Sequence, residues 1–313
     1  MPKGFFTQGM AVLLERPVEL GDVLSHLGDF EIARTVEERG DAWLGQPGVV
    51  VAMRPEVNGY VVVDIVDEPW PDAMGDPEGE PDLFAAWSMG WFGPFVFPGN
   101  LERAVAMSFN WDGAGEAVDK HRSFLRIKST YVLGADKDAL VMPEDYEPIA
   151  ELRHVTRIAE ALLRLPQALA YFNPNGEVLR SLEGLLEDIA WHEEQGVLPL
   201  PLWSNVRLFN LEPGWTAMDT VGMEQLDVDD HEACFRPESF DLGDVAGFLR
   251  NATEYIREQG PVVQDGDTMD GPNDTRWQAQ TEMESLAPRP RTVTRWLPQD
   301  GSKPPARLLR MDA

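Results

Sequence analysis

The sequence has one cysteine, Cys234, in 313 residues, which excludes any intramolecular disulfide and any cage of thiolates around a metal. That usage fits a reducing cytoplasm. No uninterrupted apolar stretch reaches about 18 residues, so no membrane-spanning helix is expected. Residues 1–17 hold one early Lys and an apolar run broken by Gly9 and ended at Glu15, which does not make a signal peptide. A cytoplasmic protein is the expectation. Positive charge is scarce, with 26 Lys plus Arg against 54 Asp plus Glu and a formal charge of −28. Such a surface repels phosphate backbones and anionic lipids, so direct nucleic-acid and membrane binding are disfavoured. A phosphate-cradling glycine loop, a nucleophile elbow and a paired-histidine zinc motif are also missing.

With 43% hydrophobic residues, the chain can bury a substantial core in two domains or one large one. Residues 9–15, 30–36, 49–53 and 60–66 are rich in Val and Ile and bounded by Gly, Pro or Asn, the mark of strands, with a short helix at 20–27. This predicts a β-α-β-β-β unit with a hairpin at Asn58-Gly59, since both residues tolerate positive φ. Residues 64–82 contain eight acidic residues, four prolines and no basic residue, and read as an exposed loop. The block 87–97 is dense in aromatics. It is either a wall of the core or an exposed hot spot, and core is the commoner answer for clustered aromatics. Apolar residues spaced by three and four predict amphipathic helices over 146–165, 178–195 and 241–258, with strands at 124–133, 168–172 and 203–211. The fold class expected is α+β, with mixed or antiparallel sheets covered on one face by amphipathic helices. Leu20-Gly-Asp-Val and Leu242-Gly-Asp-Val each open a helix, which raises the reading of two related α/β sandwich units. The expected division is a β-rich unit over 1–115, an α+β domain over 116–284 and a basic, proline-containing tail over 285–313.

Few residues suggest chemistry. His192, beside Glu193 and Glu194, lacks the second His four residues on that a helical zinc site needs. Asp227, Asp229, Asp230, His231 and Glu232 offer oxygen and imidazole ligands in a short span, but a solvated acidic loop explains them better than a cation site. Residues 265–271 imitate a calcium loop, yet Met269 and Arg276 stand where ligands belong. His121 and His154 are isolated, and Cys234 reads as a buried small hydrophobe. No metal, no cofactor and no enzymatic activity are expected.

From Trp87 onward, the order of segments resembles the bacterial family known as domain of unknown function DUF4261. The resemblance is carried by residues 121–127, opened by His121-Arg122, by 198–209 around Trp203, by 219–223 with Asp219 and Gly222, and by 263–268 ahead of Trp277. The N-terminal unit matches in pattern only. The family has no established catalytic residues. Some proteins of this kind resemble immunity proteins against toxins injected by type VI secretion systems, so the resemblance implies toxin neutralisation, with a nuclease effector as the partner. A nuclease presents a basic groove to its substrate, and an acidic protein can occupy it. The contacts this implies are Asp64, Asp67, Glu68, Asp72, Asp76 and Glu78 in one acidic stretch, Asp219, Glu224, Asp227, Asp229, Asp230 and Glu232 in a second, and Trp87 and Trp91 as aromatic anchors. An effector adaptor or chaperone would share these features. A hydrolase using carboxylates with His231 or His192 is a further alternative. Arg289, Arg291, Arg295, Lys303, Arg307 and Arg310 in the tail either dock on the acidic body or belong to an extended linker. Oligomeric state is left open.

Overall fold

Runs of β-branched residues suit the pleated, half-buried surface of a sheet, and the N-terminal runs form one. The computed structural model describes residues 3–37, 40, 43–135, 140–212 and 214–309. Arg310 and Asp312 of the basic segment lie outside them. Contacts divide the chain into two units, Met1–Trp203 and Ser204–Ala313.

In the first unit, β1 (Gln8–Leu14), α1 (Leu20–His26), β2 (Ile32–Val36), β3 (Gly48–Arg54) and β4 (Gly59–Val66) follow one another as the β-α-β-β-β pattern predicted. Asn58 takes the left-handed conformation, φ 60°, at the turn into β4. Next come α2 (Pro81–Ser88), α3 (Asn100–Ala106), α4 (Ala114–Lys120), β5 (Ser123–Thr130), α5 (Pro148–Leu162), β6 (Ala168–Asn173), β7 (Val178–Arg180), α6 (Leu182–Gln195) and α7 (Leu200–Trp203). The seven strands form an antiparallel sheet in the order β2-β3-β4-β5-β1-β6-β7. The division falls after Trp203 rather than after residue 115, because β5 pairs with both β1 and β4.

Helices cover both faces of this sheet, not one. The α5 stripe of Leu152, Val155, Ile158, Ala159 and Leu162 is fully buried against β1, β5 and β6. On the opposite face Ala11, Leu13, Val66, Phe124 and Phe172 pack with Trp70, Trp87, Phe92, Leu101 and Ala117 of the α2–α4 region. Trp70 sits edge-on to Phe92, Phe124 and Phe172, with centroids 5.0–5.3 Å apart, a geometry that suits the ring quadrupoles. Trp87 and Phe92 of the aromatic block are therefore core, whereas Met89 and Phe97 are exposed. Of the two proposed anchors, Trp87 is buried and Trp91 is half-buried.

The second unit holds β8 (Asn205–Glu212), β9 (Trp215–Val221), β10 (Asp230–Phe235), α8 (Leu242–Gln259), β11 (Thr268–Asp270), β12 (Arg276–Glu284) and β13 (Thr292–Pro298). The sheet order is β11-β12-β13-β10-β9-β8, with β10 and β13 parallel and the other pairs antiparallel. This mixed sheet differs in order from the first, although Leu20 and Leu242 do each open a helix. Asp241 caps α8 by accepting from the Gly243 and Asp244 N–H groups, satisfying donors that a helix start leaves open. The Val245, Phe248, Leu249 and Ala252 stripe of α8 buries against Trp277 and Trp296. Residues 292–298 are thus an inner strand, so 285–313 is no separate tail. Among the described residues, no helix is long and apolar enough to cross a membrane.

Candidate functional site

Strand β5 carries two cations, Arg126 and Lys128, in the middle of a sheet buried on both faces. Strand alternation sets them on the same face as Phe124. Register places Asp64 of β4 opposite Arg126, with Val62 opposite Lys128. Asp64 Oδ2 accepts from Arg126 Nε at 3.0 Å, Arg126 Nη2 at 2.8 Å and Lys128 Nζ at 2.7 Å. Arg126 Nη2 also donates to the Trp43 carbonyl at 2.9 Å, while buried Nη1 finds no partner among the described residues.

Aromatic rings close over the cations. Lys128 Nζ lies 3.9 Å from the Trp91 ring centroid and 4.5 Å from that of Phe6. The Arg126 guanidinium lies 5.0 Å from Trp91 and 5.6 Å from Phe92. These distances are within the range of cation–π attraction. Gly9 makes room for this lid. It sits opposite Lys128 on β1, and a Cβ there would lie 2.7 Å from Gly93 Cα. Gly93 itself holds φ 120°, a conformation that favours glycine. The two glycines let the turn after α2 cross the sheet and set Trp91 over Lys128.

Three buried charges, two positive and one negative, leave a net positive site. Burial pushes the Asp64 carboxyl up, but Lys128 and Arg126 outweigh that and hold it below its ordinary range. Burial, helped by the neighbouring Arg126, draws Lys128 down to about 7 despite Asp64. A cavity of about 510 Å³ opens beside the cluster, lined by Lys128, Asp64, Trp91, Phe6, Gln46 and Thr130 among others. A pocket with apolar walls, a few converging polar groups and a perturbed titratable residue is the usual form of a small-molecule site. No sequence motif marks this site. The available signal was Arg126 and Lys128 alternating with Leu125 and Ile127 inside a strand that should be wholly apolar.

The second acidic stretch is not a surface. Asp219, Asp230 and Glu232 are each 0% exposed and point into a lattice of arginines. Arg207 grips Asp219 with two bonds, at 3.0 and 2.7 Å. Arg291 bridges Asp219 at 2.7 Å and Asp230 at 2.6 Å. Arg295 holds Glu232 at 2.8 Å, and half-buried Glu224 pairs with Arg289. Arginine suits this work because its planar fork bonds carboxylates bidentately. The arginines of the supposed tail are thus the internal partners of the supposed binding patch, which removes Asp219, Asp230 and Glu232 as contacts. Asp227 and Asp229 remain exposed.

Asp64 also leaves the surface, being buried in β4. Asp72 is half-buried and accepts from the Leu101 and Glu102 N–H groups at the start of α3, at 2.9 and 2.7 Å. Asp67, Glu68, Asp76 and Glu78 are exposed as expected, as are Glu80 and Asp82.

The histidines have structural surroundings. His121 accepts from the Trp70 N–H at 3.0 Å, and His192 is buried near the end of α6, bonded to the Asp188 carbonyl at 2.6 Å. Trp296 donates to His231 Nδ1 at 3.1 Å, which puts the proton of the neutral ring on Nε2, where it is buried with no partner among the described residues. Burial lowers His231 to about 4, against a smaller opposing effect of Asp230. Because the unfolded chain binds this proton more readily, His231 lowers the stability of the second unit as pH falls from about 6.5 towards 4. The expected slope is about 1.4 kcal/mol per pH unit at most. Urea titrations of His231→Gln, whose amide oxygen can still accept from Trp296, should show a flatter acid limb than the parent; equal limbs would refute this. Cys234 is buried as read, and burial raises its thiol pKa. Among the described residues, no group of three His, Cys, Asp or Glu side chains is placed to hold a metal.

No curated protein and no solved structure matches the chain. Residues 219–297, which contain most of the buried Arg–carboxylate lattice, match the family described as Domain of unknown function (DUF4261).

Proposed function

We propose that the chain is a binding protein that engages a basic protein partner through the exposed part of the acidic stretch 67–82, acting as an immunity protein does when it covers a toxin's substrate groove. One observation carries the reading. Glu68, Glu78, Glu80 and Asp82 are exposed, and among the described residues none of them forms an ion pair. The second unit spends much of its acidity on its own arginines. The first unit, with 34 acidic against 15 basic side chains, keeps a net −19 of the total. Clustered carboxylates without internal partners steer a basic partner during approach. A nuclease toxin is a partner of suitable chemistry, since its groove must attract phosphates.

The test uses the intact chain and the protein encoded beside its gene. The quadruple variant Glu68→Lys, Glu78→Lys, Glu80→Lys, Asp82→Lys should associate about tenfold more slowly at low salt, with a flatter salt dependence. Co-expressed with the toxin, the parent chain should restore growth and the variant should protect poorly. An association rate unaffected by the four reversals would remove the electrostatic interface. Failure of the parent to restore growth would favour an adaptor or chaperone instead.

A further inference from the structure

The buried cluster on β5 has a property that binding through the acidic loop does not use. Lys128 is one of five lysines in the chain, and it lies in the wall of a cavity of about 510 Å³. Two features of the geometry disfavour its charged form. Its Nζ is out of water, a cost that the facing rings of Trp91 and Phe6 offset only in part, and it shares its single carboxylate, Asp64, with the guanidinium of Arg126. Removal from water and a neighbouring cation are the two ways proteins turn a lysine into a nucleophile. We propose that Lys128 is a reactive amine that takes a carbonyl compound with an apolar body, an aldehyde or ketone, as an imine within this cavity.

The chemistry balances without an oxidant or reductant. The nitrogen lone pair attacks the carbonyl carbon, an N–C bond forms, and the π pair moves to oxygen. That oxygen receives a proton from the nitrogen, giving a carbinolamine. Loss of water, carrying the oxygen and the second nitrogen proton, leaves the C=N bond. Asp64 orients Nζ through the 2.7 Å hydrogen bond. The aromatic walls receive the apolar body and limit access of the water that would reverse the last step. Among the described residues, Asp64 on β4 and Arg126 on β5 are the charged groups that face Nζ; burial and Arg126 draw Lys128 down to about 7 against the pull of Asp64.

The experiment treats the intact chain with benzaldehyde and cyanoborohydride, which traps imines, and maps the labelled lysines by peptide mass. At about pH 7.5 an ordinary lysine is neutral to only about 0.1%, so Lys128 should be labelled at least about tenfold faster than exposed Lys120. The advantage should vanish in denaturant, and the rate should rise with a midpoint near pH 7. Lys128→Met keeps an apolar stem and removes a buried charge. It should remain folded and lose the fast-labelled peptide. The proposal is overturned if Lys128 reacts no faster than Lys120, if its rate rises only around pH 10.5, or if rapid incorporation persists in Lys128→Met.

Discussion

Replacing Arg291 with Met is expected to destabilise the second unit by about 3–5 kcal/mol, the usual cost of removing one partner from a buried ion pair. Arg291 is nearly inaccessible and donates to Asp230, to Asp219 and to the Thr220 carbonyl, at 2.6, 2.7 and 2.8 Å. Asp219 would retain Arg207. Among the described residues, Asp230 would keep only the Thr220 hydroxyl and the Met223 N–H as donors, at 3.0 and 3.1 Å, too little for a carboxylate with no access to water. Since whole domains are stable by only about 5–15 kcal/mol, this loss brings the unit near unfolding. Arg291→Lys should recover only a minor part, because an ammonium cannot span both carboxylates with a planar fork. Adding Asp230→Asn to Arg291→Met should recover more, since it removes the stranded charge. Hydrogen exchange at β10 and β13 amides reads the effect in that unit directly. A loss below about 1 kcal/mol would mean that water reaches the lattice.

Asp64→Asn has an effect of similar size in the first unit, with a distinctive pH dependence. It leaves Arg126 and Lys128 buried side by side without an anion, which costs about 3–5 kcal/mol while both are charged. In the parent, Lys128 has a folded pKa near 7 against about 10.5 for an exposed lysine. The unfolded chain therefore binds more protons between these values, so this group's contribution to stability rises as pH climbs from 7 to 10.5 and is lost as pH falls back. Removing the carboxylate lowers the folded pKa further. The variant therefore continues to lose stability below pH 7, where the parent's Lys128 contribution has levelled off. At pH 9 both proteins hold a neutral amine, and the gap should shrink to the cost of Arg126 alone. Urea unfolding at pH 6 and pH 9 decides the point. A deficit equal at both values would show that Lys128 stays charged throughout.

Much of the fold is legible in the residues. The Val-rich runs before residue 66, the Asn58-Gly59 turn and the three amphipathic helices could be assigned because their period and punctuation are local properties. The helix expected from residue 178 begins at Leu182, since Ser181 supplies the cap, accepting from the Gly184 N–H at 3.1 Å, and Val178–Arg180 pairs with β6 instead. Strands β9, β10, β12 and β13 escaped notice. Asp219, Asp230, Glu232 and Arg295 lie within them, and charged residues in one short segment read as solvated loop when their partners lie 12 to 72 residues away.

Composition and pattern alone determined an α+β chain with an acidic surplus, a single cysteine and amphipathic helices to cover its sheets. Tertiary structure alone decided which charges reach solvent. A carboxylate is costly to bury unless a cation meets it, and only the folded register brings Arg207, Arg291 and Arg295 onto one acidic segment and Arg126 and Lys128 onto Asp64. Among the described residues, Glu68, Glu78, Glu80 and Asp82 stay exposed and meet no such cation.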